Sequence, residues 1–440
     1  MRTFKIGGVH PPENKLTASQ PIIEAPLPAE VTLMLGQHIG RPATPVVAKG
    51  DHVVAGQMVA EAAGPVSAAV HTPVSGVVTK IATALNPQGF PVDAITIKAD
   101  PEQPAKKSER RAVDKLSSAD IIKAIADAGI VGLGGATFPT PVKLTPPPSF
   151  KPELVIINAA ECEPYLTNDH ALMLESAADI VEGTRLLMRA VGVSRGVIAI
   201  ENNKPDAIKA LRETVGSDTT IEVMPLKVKY PQGGEKQLIE AVTGRRVPSG
   251  GLPVATGAIV QNVATAYAVA RAVIYGEPLT SRVVTVTGDG VSRPGNYRVA
   301  LGTPLRDLVT LAGGEPQEDG KIVIGGPMMG RAAMTLDTFT TKGLSGVLFL
   351  GADKARRSQP EACIRCGKCV DACPMGLEPY LLATFSRLGR FEDAEREAVT
   401  DCLECGSCSF SCPASRPILD YIRVGKQAVM AARRARQQKK

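Results

Sequence analysis

Over the first hundred residues, pairs of β-branched residues and alanine are broken by glycine or proline every few positions. Examples are Val46-Val47-Ala48-Lys49-Gly50-Asp51-His52-Val53-Val54 and His71-Thr72-Pro73-Val74-Ser75-Gly76-Val77-Val78. Such interruptions predict short strands joined by tight turns. A charged stretch over 101–115 reads as a linker. After it, Ser117 or Ser118 caps a helix that aligns Ile121, Ile122, Ile125 and Ala128 on one face and stops at Gly129. Apolar runs at 154–157, 197–200 and 221–224 then alternate with helical stretches over 171–191 and from Pro205. Strands alternating with helices predict a parallel sheet covered on both faces. Ligands of such sheets lie at the strands' carboxyl ends, here Asn158 to Pro164 and Glu201-Asn202-Asn203.

From Arg282 the pattern changes again. Val283–Thr287 and Gly295–Val299 read as a hairpin, Thr303 and Pro304 as the cap and first turn of a short helix, and Lys321–Ile324 as a further strand. Together they predict a β-grasp-like unit. The segment after 351 shows a helical pattern through Leu377, Tyr380, Leu381, Phe385 and Leu388. The opening pattern resembles the barrel-sandwich fold of lipoyl and biotinyl carriers, but 64–70 holds no lysine for a carrier arm. It is expected to be a structural module.

The net charge of +6 is localised, since seven basic residues and no acid follow Tyr421. The body is near neutral and the end is basic, which suits either a solvated end or contact with anionic lipid or an acidic partner. No apolar stretch of signal length opens the chain, and nowhere do about 18 apolar residues run together without charge. The chain is therefore expected neither to be exported nor to span a membrane.

Eight of nine cysteines form two copies of one pattern, Cys363-x2-Cys366-x2-Cys369-x3-Cys373-Pro374 and Cys402-x2-Cys405-x2-Cys408-x3-Cys412-Pro413. This spacing predicts two [4Fe–4S] clusters with crossed fourth ligands. Cys363, Cys366, Cys369 and Cys412 would hold one, and Cys402, Cys405, Cys408 and Cys373 the other. His10, His38, His52, His71 and His170 stand at no ligand spacing and are expected at the surface or in loops. Cys162 is expected to be a small buried residue.

Gly132-Leu-Gly134-Gly135-Ala136-Thr137-Phe138 with Lys143 lacks the third small residue of a dinucleotide fingerprint. Adjacent glycines let backbone N–H groups approach an anion, and Lys143 adds a point charge; alone, the stretch reads equally as a turn-rich structural loop. The loop resembles the flavin loop of the NADH-binding flavoprotein subunit of respiratory complex I. Three further segments resemble that family in the same order: Asn158 to Pro164, Lys229 to Lys236, and Val260 to Thr265. The resemblance implies FMN held by Gly132, Gly134, Gly135, Lys143, Asn158, Glu161, Tyr230, Gly234, Glu235, Asn262 and Thr265. It implies NAD(H) stacked on the flavin near Phe138 and Glu163. Ala160, Lys236 and Gln261 depart from that family's aspartate, glutamate and asparagine.

Taken whole, the chain resembles the C subunits of Rnf (Rsx) electron-transport complexes, from Gly7-Gly8-Val9-His10-Pro11-Pro12 through Gly325-Gly326-Pro327-Met328-Met329-Gly330 to the paired cysteine runs. The implied fold is multidomain α/β. It has a barrel-sandwich (lipoyl-like) module at 1–100, a Rossmann-like FMN- and NADH-binding core at 115–275 and a β-grasp (SLBB-like) unit at 280–350. A helical two-cluster ferredoxin domain at 351–422 and a basic tail at 423–440 complete it. The implied role is an oxidoreductase subunit of an ion-translocating complex, peripheral on the cytoplasmic side of a bacterial inner membrane. It would pass electrons between NAD(H) and ferredoxin or membrane flavin carriers, with other subunits as partners and no nucleic acid. A soluble reductase of the cobalamin-reductase kind and a non-enzymatic electron-carrier scaffold are the alternatives.

Overall fold

The computed structural model describes residues 1–103 and 109–438. The expected linker falls partly, and Lys439 and Lys440 wholly, outside the described residues. At the centre lies a four-stranded parallel sheet in the order Ile221–Leu226, Gly196–Glu201, Leu154–Ala159, Ala258–Asn262. Its strands are apolar on both faces because both are covered. Val155, Ile157 and Ala159 enter one core with the helices Ala177–Val191 and Val263–Tyr275. Leu154 and Ile156 enter the other with helix Glu235–Thr243. The chain leaves the first strand to one side and returns on its other side as Ala258–Asn262, so the strand order reverses there. Such a reversal opens a ligand crevice at the carboxyl ends. It also pairs Asn262 with Asn158 in register, two residues from distant motifs.

The expected helix runs Ser118–Asp127 with Ser117 as cap, in a capping box with Asp120. Two small antiparallel sheets, one of Glu30–Met34, Pro91–Ala99, Gly76–Leu85 and His52–Val53, the other of Thr44–Pro45, Met58–Glu61 and Val70–His71, enclose Val31, Leu33, Val59, Val78 and Ile95 as the barrel sandwich. The β-grasp sheet carries Gly295–Ala300 antiparallel to Ser281–Gly288 and gains an edge strand, Ile22–Glu24, from the start of the chain. Its helix Leu305–Leu311 begins at Pro304 without a side-chain cap. Thr303 is not the cap, because its hydroxyl is committed to the Ala300 carbonyl at 2.8 Å.

Three histidines are not surface residues. His38 and His71 are buried in the barrel sandwich, and His170 is buried in helix Asn168–Glu175 with Nε2 2.9 Å from Asp206. The basic end is no loose tail either. It continues helix Ile418–Gln438, where Arg423 and Lys426 pair with Glu404, and Arg433 and Arg436 with Glu395. Among the described residues no helix is long and apolar enough to cross a membrane.

Lys342 locks three domains together. From the loop before the last β-grasp strand its buried ammonium donates to Ala69 O at 2.6 Å and Gly129 O at 2.7 Å, and its amide donates to Gln37 at 2.9 Å. Burial lowers its pKa from 10.5 to about 7. Between those values the unfolded chain binds a proton that the folded chain releases. Stability therefore rises with pH across the window, by up to ~1.4 kcal/mol per unit, and the contribution is lost as pH falls through about 7. In urea denaturation followed from about pH 7 to 9, Lys342→Met is expected to flatten that slope.

Candidate functional site: a flavin crevice joined to two cysteine clusters

The residues singled out in four distant segments meet at the carboxyl edge of the parallel sheet. The glycine loop closes on itself through Gly132 N to Phe138 O at 2.8 Å and Thr137 N to Gly132 O at 3.1 Å. It is anchored where Leu133 N donates to the buried Thr265 hydroxyl at 2.9 Å. Asn262 caps helix Val263–Tyr275 through Ala264 N and donates to Asp169 at 2.6 Å. Asp169 N and His170 N donate to Glu161 at 2.7 and 3.2 Å, so this carboxylate rests on a helix N-terminus. Asn158 donates to Gly233 O at 2.8 Å, and Lys143 faces Glu235 at 2.6 Å. Gly234 precedes the helix that Glu235 begins. Gly134, Gly135 and Ala136 are exposed, and nothing stands within 4 Å of where a Cβ on Gly135 would lie. Bare backbone of this kind supplies N–H donors to an anionic flavin phosphate.

The acidic turn 161–166 is held by two lysines that carry no motif. Lys15 donates to the carbonyls of Glu161, Glu163 and Leu166 at 2.6–2.9 Å, and the buried Lys204 donates to Ala160 O at 2.7 Å. Burial raises Glu161 to about 7, with Lys15 opposing it. Burial likewise raises the Cys162 thiol, whose sulfur accepts from Gly233 N at 3.2 Å.

Two residues of the implied set also join the flavin core to its neighbours; the first is Glu163. Its carboxylate accepts from the amides of Met328 and Met329 at 2.7 and 3.0 Å, binding the flavin core to the Gly325–Gly330 turn. The second is Tyr230, whose hydroxyl donates to Cys405 O at 2.8 Å. Two of the three departures have a structural reason. Lys236 lies 3.8 Å from Asp401 of the cluster domain, and Ala160 is buried with its carbonyl taken by Lys204. Gln261 is buried with its amide nitrogen unpartnered.

The two cysteine runs fold alike. Arg365 and Glu404 are left-handed at φ 56° and 59°, as are Gly367 and Gly406 at 77° and 80°, so each loop curls over a short helix, Lys368–Asp371 or Ser407–Phe410. Cys373 lines one cavity with Cys402, Cys405 and Cys408, closed by Leu382 and Ile422. Burial pushes Cys402 up to about 11 and raises Cys405 and Cys408, and Cys373 is among the neighbouring thiols that add to this. In the other set Cys363 and Cys366 are exposed, and Cys369 and Cys412 are half-buried. Cys412 is the neighbouring thiol that raises Cys369, after burial. Among the described residues no three His, Cys, Asp or Glu side chains converge on a single-ion site. Cys373, Cys402, Cys405 and Cys408 line a shared cavity, the arrangement a multi-iron cluster needs.

Comparison with known proteins agrees with this order of parts. Family models match for an RnfC barrel sandwich hybrid domain over 3–102 and a Nuo51 FMN-binding domain over 125–271. An SLBB domain matches over 283–332 and a 4Fe-4S dicluster domain over 355–413. The C subunit of the Na⁺-translocating ferredoxin:NAD⁺ oxidoreductase complex of Acetobacterium woodii is 45% identical over 435 residues, covering 98% of both chains. The chain belongs to the RnfC family. Its counterpart in the proton-translocating ferredoxin:NAD⁺ oxidoreductase complex of Clostridium ljungdahlii is 44% identical over 98% of this chain and 95% of that one. The RnfC-type chain of the ion-translocating oxidoreductase complex of Rhodobacter capsulatus is 41% identical over 90% and 78%. FMN and [4Fe–4S] clusters are the cofactors that these domains take.

The Tyr230 contact separates flavin from cluster effects. Tyr230→Phe is expected to leave FMN content unchanged and to cost about 0.5–1.5 kcal/mol of stability. It should also speed the loss of iron to a chelator, measured by colorimetric iron release from the purified protein. Loss of FMN instead would put the hydroxyl in the flavin site.

Proposed function

We propose that this chain is the NAD(H)-facing subunit of an ion-translocating ferredoxin:NAD⁺ oxidoreductase complex, peripheral on the cytoplasmic side of the membrane. The observation that carries the reading is one apolar seam, in which Tyr230 of the flavin core and Cys405 of the cluster domain pack together with Val9, Ala372 and Cys162. FMN, when bound, exchanges two electrons as a hydride with NAD(H) and single electrons with iron–sulfur clusters, so one NADH supplies one electron to each of two clusters. Gly132, Gly134, Gly135 and Lys143 would hold its phosphate. Asn158, Glu161, Gly234, Glu235, Asn262 and Thr265 would fix the surrounding loops, and Phe138 would line the nicotinamide face.

The chain's own residues set an order for the clusters. Cys373, Cys402, Cys405 and Cys408 would hold the one beside the flavin core, screened from water. Cys363, Cys366, Cys369 and Cys412 would hold the outer one, facing a partner protein with two of its thiols exposed. The Arg365 amide, then the Arg416 side chain, lower the Cys363 thiol and so favour its thiolate form. Either direction of flow, toward NAD⁺ or from NADH, uses the same path.

Anaerobic NADH:viologen turnover with flavin and iron analysis tests the reading. Lys143→Ala is expected to lower FMN and turnover together while iron stays at about eight per chain. Full FMN retention in that variant, or no NADH-driven bleaching of the unaltered protein, would contradict it. Cys412→Ala should strip the outer cluster; loss confined to the inner one would refute crossed ligation.

A further inference from the structure

The opening motif Gly7-Gly8-Val9-His10-Pro11-Pro12 belongs neither to the four flavin-like segments nor to the cysteine runs. It nevertheless runs between them. On the flavin side, Lys227 N donates to Arg2 O at 2.9 Å and the Arg2 guanidinium donates to Val242 O at 2.6 Å. Phe4 is buried with the Lys229 ammonium 4.1 Å above its ring. Val9 and Tyr230 exchange both backbone hydrogen bonds, at 2.8 and 2.9 Å. On the cluster side, Gly8 N donates to Ala372 O at 3.0 Å, one residue before Cys373.

Both glycines are needed by proximity as well as by conformation. A Cβ on Gly7, at φ 65°, would stand 2.4 Å from the carbonyl carbon of Cys373. One on Gly8, at φ 90°, would stand 2.9 Å from Tyr230 O and 2.8 Å from the Phe4 ring. Neither backbone can yield without moving a thiol-bearing turn or the Tyr230 segment.

We propose that residues 2–9 are a positioning strap, which fixes the separation between the flavin core and the Cys373 thiol set and keeps water out of the seam at Val9, Tyr230, Ala372 and Cys405. The proposal rests on the reading of these two parts as neighbouring redox centres. Other ties at this junction are polar and separate: Tyr230 to Cys405, Gln237 to Pro374 O at 3.1 Å, Lys236 to Asp401, and Ser249 to Asp401. The strap adds backbone hydrogen bonds to both sides, two with Tyr230 and one with Ala372. Single-electron exchange depends steeply on distance, so a small displacement here slows it without touching hydride exchange at the flavin.

The test uses the full-length holoprotein carrying Gly7→Ala, with Gly192→Ala as control. Gly192 has a similar φ of 72° and nothing within 4 Å of its Cβ position, so it carries the backbone strain without the collision. In Gly7→Ala, FMN and iron content and NADH:ferricyanide activity, which draws electrons at the flavin, are expected to stay at the unaltered level. NADH-driven reduction of the clusters, followed by rapid-freeze EPR, is expected to slow roughly tenfold or more. Hydrogen–deuterium exchange at Val9 and Tyr230 should quicken by about tenfold, a readout independent of turnover. Phe4→Ala loosens the strap without a collision and should show the same split, which decides the matter if Gly7→Ala cannot be recovered. Unchanged cluster reduction in both variants overturns the proposal, as does a parallel fall in ferricyanide activity. If NADH fails to reduce the clusters of the unaltered protein, the electron-transfer reading fails instead, and the exchange data still report whether the strap joins the domains.

Discussion

Redox centres carried by different domains must be held at a fixed, short and dry separation, and the rest of this structure depends on meeting that constraint. It is met where Tyr230, Val9, Ala372 and Cys405 form a single buried cluster, with Cys162 and Met328 packed beside it. Five separate parts of the chain meet there: the opening strap, the turn after the first central strand, the Tyr230 segment and the two cysteine loops, through Ala372 and Cys405. The β-grasp unit reaches the same place through Met328, whose amide binds Glu163 and whose carbonyl leaves no room for a side chain at Gly406.

Charge is placed to serve the same end. The turn 161–166 carries two carboxylates beside the flavin crevice, and burial disfavours their ionised forms. Lys15 offsets this at both carboxylates and Lys204 at Glu161, while their ammonium groups donate to backbone carbonyls in and beside the turn. A buried carboxylate is tolerated when it is hydrogen-bonded, and Glu161 accepts from the amides of Asp169 and His170, Glu163 from those of Met328 and Met329. The turn is therefore rigid before any cofactor arrives, which is what a site that must not reorganise during transfer requires.

What could be read from the chain beforehand was local. The central strands, the Ser117 cap and the inter-run helix follow from period and capping chemistry, which act over a few residues. The two cysteine runs are legible in their spacing for the same reason. Strand Ala258–Asn262 was hidden because its last three residues open the flavin-like motif Val260 to Thr265, and with it the reversal of strand order that brings Asn158 beside Asn262. Thr303 misled because a threonine before proline fits a cap by composition, whereas its hydroxyl had a nearer carbonyl. The parts that could not be read were long-range: Lys15 acts on residues 161–166, and Gly8 on residue 372. Glycine and lysine there have no periodicity to betray them, and what they touch is backbone, which leaves no mark in side-chain pattern. Lys236 shows the same limit, since it stands in a flavin-like segment by motif while its partner is Asp401 of the cluster domain.

The thiol set buried against the flavin core should exchange electrons with it before the exposed set does. Rapid-freeze EPR after mixing with NADH tests this order directly, with Cys363→Ser used to mark the signal of the outer cluster. The unmarked signal is expected to rise first and the marked signal to follow it. A marked signal that rises first would contradict this order, and so would one that rises at its full rate while the inner cluster has been removed by Cys405→Ser.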